Sequence, residues 1–241
     1  DGLVLDVKVG SGAFMKQMVR ARALATTICG IGRRAGKRVT AVISDMNQPL
    51  GHEVGNANEM REAIEVLQGG GPDDLVELTV ALGAEMLRHG DVTTDPAAAR
   101  RRIERAREDG SGLARLRRCV ELQNGDPAMV DDPTRLPRAS QQRLLTADQD
   151  GVLDAVDTER VGVAAMVLGA GRQRVDDQVD HAVGLTFHCR LGQRLATGDA
   201  LATLHHNDEE RAGRADGILR RALGWSDDPR PAPPLVHEVL R

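Results

Sequence analysis

The chain has 241 residues and a net charge of -4, with three aromatic side chains, Phe14, Phe187 and Trp225, and three separated cysteines, Cys29, Cys119 and Cys189. That length bounds the answer to one large or two modest domains, and the weak charge with so few aromatics speaks against nucleic acid as a partner. No run approaches a membrane span and the cysteines form no C-x-x-C pair, so a soluble, cytoplasmic protein without a disulfide framework or structural zinc is expected.

Residues 3–9 are a near-continuous apolar strand, of the kind buried on both faces of a parallel sheet, and they run into the glycine-rich loop Gly10-Ser11-Gly12. Such a strand rarely starts a domain, and no Met precedes it, so the chain is expected to be the later part of a larger protein. Apolar residues recur at three and four over 16–35, and 38–46 is a second apolar strand. Strand, helix and strand in this length make a βαβ unit with parallel strands. The loop 47–55 follows, then Asn56 with Glu59 three residues on, a capping-box signature for a helix to about 68. Helical patterns continue over 73–89, 95–109 and 111–124. Beyond a turn-rich stretch at 127–137 the character changes to short apolar pieces divided by glycines, with one helix at 158–168, a last helix near 208–223 and a short apolar end segment. The expected architecture is α/β: a partial mixed or parallel sheet covered by helices in 1–140, then a small α+β, barrel-sandwich-like domain in 141–241.

Ligands of α/β proteins bind at the carboxyl ends of strands, where the 10–14 and 44–51 loops stand side by side. Met15 occupies the third glycine position of G-x-G-x-x-G and no G-K-[ST] follows, so neither a dinucleotide fingerprint nor a Walker loop is present. Taken alone the first loop reads as a tight turn or a ligand loop, with Phe14 as a candidate pocket wall. Glu62 could join loop carbonyls around a hard cation such as potassium or calcium, against the commoner reading of a solvated or ion-paired helical Glu. His205 and His206 are adjacent in an extended segment and point to opposite faces, so with Asp208 they make a poor metal site. No Ser/His/Asp or Cys/His arrangement stands out.

The ordered set DGLVLDVKVGSGAFM at 1–15, VISDMNQPLG at 42–51, VGNANEMREAI at 54–64 and LGAGR at 168–172 resembles the pyrimidine-nucleoside phosphorylase and thymidine phosphorylase family, over essentially the whole chain. The resemblance implies a pentosyltransferase: phosphorolysis of a pyrimidine nucleoside to free base and pentose 1-phosphate, with phosphate as co-substrate, potassium as bound ion and a homodimeric full-length protein. It places Phe14 in the pyrimidine pocket and assigns Leu50, Glu53 and Glu62 to the potassium ion. Glu53 departs from the small residue common at its position, which matters little if its main-chain carbonyl is the ligand. The family's phosphate-binding residues and main base-binding residues belong to segments before residue 1, so no catalytic residue is assigned here and the isolated chain is expected to be inactive.

Competing readings are a nucleoside monophosphate phosphorylase, an anthranilate-type phosphoribosyltransferase and a non-catalytic binding fragment. The 151–200 stretch is also similar to the hammerhead of biotinyl and lipoyl carriers. Attachment there needs a lysine, and none follows Lys37.

Overall fold

The computed structural model describes residues 2–172, 174–228 and 231–241. In chain order the elements are β1 (Gly2–Val9), α1 (Met18–Arg34), β2 (Arg38–Asp45), β3 (Glu53–Gly55), α2 (Ala57–Leu67), α3 (Asp73–His89), α4 (Pro96–Glu108), α5 (Ser111–Leu122) and α6 (Ala128–Asp131), then β4 (Gln141–Thr146), β5 (Gly151–Val156), α7 (Thr158–Leu168), β6 (Gly184–Phe187), β7 (Arg194–Leu195), β8 (Ala200–His206), α8 (Glu209–Ala222), β9 (Leu223–Ser226) and β10 (Val236–Leu240). They form an α/β arrangement with a smaller β-rich C-terminal part. No helix among the described residues is long and apolar enough to cross a membrane.

Two compact units are formed: Asp1–Met46 with Ile64–Val130 and Pro233–Arg241, and Asn47–Ala63 with Asp131–Ala232. The sequence pattern predicts one boundary near residue 140. Two long-range strand pairings make the units discontinuous instead: β3 joins β6 in the second unit, and β10 returns to β2 in the first.

In the first unit β1 and β2 pair in parallel without a register shift, from Gly2 opposite Arg38 to Val9 opposite Asp45. β10 lies antiparallel on the other side of β2, with a bulge between Val236 and Glu238, so the sheet is mixed. The central β2 is buried from Thr40 to Asp45, whereas β1, at the sheet edge, buries Val7 and Val9 and leaves Leu3 48% exposed. The expected burial of β1 on both faces is therefore not met: Val7 and Val9 share one face, and Asp6 and Lys8 on the other are not buried. Asp6 and Lys8, which interrupt its apolar run, pair at 2.7 Å, and Lys8 also donates to Ser44 at 3.0 Å. The spacing Ala21, Ala25, Cys29 puts one face of α1 on Val7, Val9, Ala41 and Ile43.

The second unit holds the antiparallel sheet β3-β6-β8-β4 and the three-stranded sheet β7-β5-β9. Leu145, Leu153, Leu185, Leu204, Val161 and Leu219, from strands of both sheets and from α7 and α8, share one core. Aspartates stop both helices from fraying: Asp157 accepts from the Arg160 N–H at 3.1 Å and Asp208 from the Arg211 N–H at 3.0 Å.

Candidate functional site

In the first unit the loop after β1 is tied to itself and to the end of β2. The Gly10 N–H donates to the Met15 carbonyl at 3.1 Å, the Gly12 N–H to the Met46 carbonyl at 2.9 Å, and the Met46 N–H to the Val9 carbonyl at 2.7 Å. Both glycine amides that a phosphate cradle would present are thus already engaged. Lys16 Nζ is turned back onto the Ser11 carbonyl at 2.6 Å. Ala13 is buried beneath the loop and Phe14 is fully exposed, so the aromatic ring is offered outward and carries no core packing. The loop thus leaves an apolar ring exposed and keeps both glycine amides in its own hydrogen bonds.

The other three candidate residues lie together in the second unit. The loop 47–55 is not irregular throughout: Glu53, Val54 and Gly55 form β3, opposite Thr186, Leu185 and Gly184. The Phe187 N–H donates to the His52 carbonyl at 2.7 Å, which makes Glu53 and Thr186 a non-hydrogen-bonded pair of the antiparallel ladder. Glu53 therefore turns its own N–H and carbonyl away from β6, to the open edge of the sheet, with its N–H toward the Glu62 carboxylate.

Glu62 is 6% exposed, and its Oε1 accepts from the His52 N–H at 2.7 Å. Burial pushes its carboxyl up, partly offset by the His52 and Glu53 amides. Among the described residues no lysine or arginine is ion-paired with it. A buried carboxylate without a counter-charge is costly, so this Glu is neither solvated nor ion-paired, the two bland readings of a helical acid. Gly51 makes the arrangement possible: at φ +70° it takes the left-handed conformation, and a Cβ there would stand 2.3 Å from Glu62 Oε2.

Arg190, which no local pattern singles out, fixes the same loop. Its guanidinium donates to the Gly51 carbonyl at 2.6 Å and the Pro49 carbonyl at 3.2 Å, and lies 3.2 Å from His52 Nδ1. The half-buried Leu50 sits between the two clamped carbonyls. The Gln48 side chain accepts from the Leu191 N–H at 3.0 Å, adding a second tie. The Glu53 carboxylate takes no part in this; it accepts from Thr186 Oγ1 at 2.9 Å and from Asn58 Nδ2 at 2.8 Å. Since that hydroxyl donates to Glu53, His205 Nε2, 2.8 Å from it, is the donor of the next link.

The capping box also differs from its sequence signature. Glu59 accepts from the Gly55 N–H at 2.9 Å, one residue earlier than expected, while the Asn56 amide donates to the Ala170 carbonyl at 2.7 Å. His206 faces the core and approaches Glu209 at 3.7 Å, Asp208 caps α8, and no group of three or more His, Cys, Asp or Glu side chains among the described residues could hold a metal. A cation here would have to rest on main-chain carbonyls and Glu62.

Comparison with known proteins agrees with both units. Residues 1–113 match the model described as the glycosyl transferase family a/b domain, and residues 152–224 match the pyrimidine nucleoside phosphorylase C-terminal domain. The whole chain is 40% identical over 240 residues to pyrimidine-nucleoside phosphorylase of Geobacillus stearothermophilus, and 42% over 244 residues to that of Bacillus subtilis (strain 168). The match to the Staphylococcus haemolyticus protein of the same name is 38% over 242 residues. In each case it covers 100% of this chain and 55% of the relative, so the chain spans about half the length of the curated relatives it matches. With both units accounted for in order, the chain is similar along its whole length to the C-terminal portion of the pyrimidine-nucleoside phosphorylases.

Proposed function

We propose that the chain forms part of a pyrimidine-nucleoside phosphorylase, which exchanges the base of uridine, thymidine or deoxyuridine for phosphate. One observation carries the reading: relatives bearing that name match every residue of the chain at 37–42% identity. Phosphorolysis needs phosphate held in line with the glycosidic carbon and charge stabilised as an oxocarbenium-like sugar parts from the base. In this reading Phe14 supplies an apolar wall for the pyrimidine, and the phosphate ligands come from outside residues 1–241. Cytoplasmic nucleoside salvage by a homodimer belongs to the same proposal. The match at 152–224 favours it over an anthranilate-type phosphoribosyltransferase, which lacks the small C-terminal domain.

A potassium ion fits the residues present: the Glu62 carboxylate is buried without a counter-charge, and the Glu53 carbonyl is turned to the open sheet edge. Glu62 with the Leu50 and Glu53 carbonyls would hold it. When bound, the ion supplies the missing positive charge and stiffens the loop. Arg190 keeps to the neighbouring Pro49 and Gly51 carbonyls and leaves Glu62 to the ion.

The test is phosphate-dependent release of uracil or thymine, followed by ultraviolet absorbance. The product of the complete reading frame is expected to catalyse it, and the 241-residue chain alone is not. A complete gene product without phosphorolytic activity on any pyrimidine nucleoside overturns the proposal.

A further inference from the structure

The first unit contains a cavity of about 440 Å³ at the start of β2, the opposite end of that strand from the Phe14 loop. An eight-residue strand separates the two by roughly 25 Å at ~3.3 Å per residue. Five side-chain cations line the cavity: Arg33, Lys37, Arg38, Arg88 and Arg241. Only two carboxylates, Glu85 and Asp91, line it with them.

Both carboxylates are already saturated. Arg88 Nη1 donates to the two Glu85 oxygens at 2.9 and 3.1 Å, and Arg241 Nη2 adds a bond at 2.8 Å. Arg38 grips Asp91 with two bonds, at 2.6 and 2.9 Å. Donors remain over. Arg88 Nε is buried without a partner, and Arg33 reaches only the Arg241 main-chain oxygen, at 3.4 Å. Lys37, exposed at the rim, pairs with no carboxylate among the described residues.

Basic residues at helix ends have an ordinary explanation, since α1 and α3 both finish here and their last turns carry Arg33, Arg34, Arg88 and His89. Magnitude decides against that account alone. Two helix C-termini contribute roughly -0.5 charge each, whereas the lining side chains leave three positive charges beyond the two carboxylates. A net of about +2 stays unanswered, or about +1 in the 241-residue chain when the Arg241 α-carboxylate is counted, and Lys37, Arg38 and Arg241 lie outside both helices.

We propose that this cavity binds a phosphorylated small molecule of about pentose-phosphate size, with Arg33 and Lys37 as the principal partners of its phosphate. The volume lies within the range of small-molecule sites and exceeds what a bare phosphate needs. The proposal does not depend on the phosphorylase reading, because no residue of the Phe14 loop or of the Glu62 site takes part.

Calorimetric titration of the 241-residue chain at low ionic strength tests it, with ribose 5-phosphate, inorganic phosphate and ribose as probes. Ribose 5-phosphate is expected to bind more tightly than inorganic phosphate, and ribose not at all. Arg33→Ala/Lys37→Ala weakens binding at least about tenfold, Arg33→Lys/Lys37→Arg retains it, and Thr94→Asp, a charge added at the exposed rim, weakens it without touching the two cations. Absence of binding by either phosphate compound, or affinity unchanged in both the double-alanine and Thr94→Asp variants, overturns the site. Equal affinity for phosphate and ribose 5-phosphate overturns the assigned ligand size.

Discussion

Replacing Gly51 by alanine asks the most of the candidate site, because two separable penalties meet there. The left-handed backbone at φ +70° costs an alanine ~1–2 kcal/mol. The new Cβ would also lie 2.3 Å from Glu62 Oε2 and 2.9 Å from the carboxyl carbon, so the carboxylate must move. Moving it gives up the 2.7 Å bond from the His52 N–H, and hydrogen bonds to a charged group contribute about 1.5–3 kcal/mol. The expected loss is about 2.5–5 kcal/mol. Gly198→Ala is the control, since Gly198 also has positive φ, at +96°, but open space where its Cβ would stand. Urea unfolding followed by the fluorescence of Trp225, the sole tryptophan and a residue of the second unit, reads both. In a Glu62→Ala background Gly51→Ala should cost only the backbone share, a coupling of about 1.5–3 kcal/mol. A Gly51→Ala protein within ~0.5 kcal/mol of Gly198→Ala, or a cycle without coupling, refutes a fixed Glu62 carboxylate beneath this loop.

Four further outcomes follow from the same geometry. Arg190→Ala removes the clamp on the Pro49 and Gly51 carbonyls and should cost about 1–3 kcal/mol, with faster chymotryptic or Glu-C cleavage within 47–53; an unaltered cleavage rate counts against the clamp. Because burial raises the Glu62 carboxyl above its ordinary value, the cation-free protein loses stability as pH rises from the ordinary carboxylate range through that raised value. Glu62→Gln should abolish this fall and any rise in melting temperature on replacing choline with potassium, and a potassium effect that survives the substitution rejects Glu62 as a ligand. Burial pulls the Glu85 carboxyl up, but hydrogen bonds and charges from Arg241 and Arg88 outweigh it, so it titrates below its ordinary value. The stability it contributes is complete above the ordinary carboxylate range and is lost as pH falls through the depressed value, so Arg241→Ala should flatten the acid limb of a stability–pH profile. Finally, Cys119 is exposed, Cys29 is buried and the Cys189 thiol is pushed to about 11 by burial, so Ellman's reagent should titrate one thiol in the native protein and three in denaturant.

What the sequence by itself determined is what depends on neighbours within a few turns of chain. The helix limits at 73–89 and 158–168 and the β1-α1-β2 unit were legible because apolar period and glycine stops act locally. The likeness to the pyrimidine-nucleoside phosphorylases was legible for a different reason, since four long motifs in fixed order point to relatives without any coordinates. The surroundings of the candidate residues were not legible. Glu62 stood out in the sequence as a candidate ligand but not as a buried carboxylate, and Arg190 did not stand out at all, since the two carbonyls it clamps are brought within reach across 139 and 141 positions of chain. The return of β10 to β2, the β3–β6 pairing that turns the Glu53 carbonyl outward, and the surplus of cations around the cavity at the start of β2 belong to the same class. Each depends on which distant polar groups satisfy one another once water is excluded, and only the tertiary structure decides that.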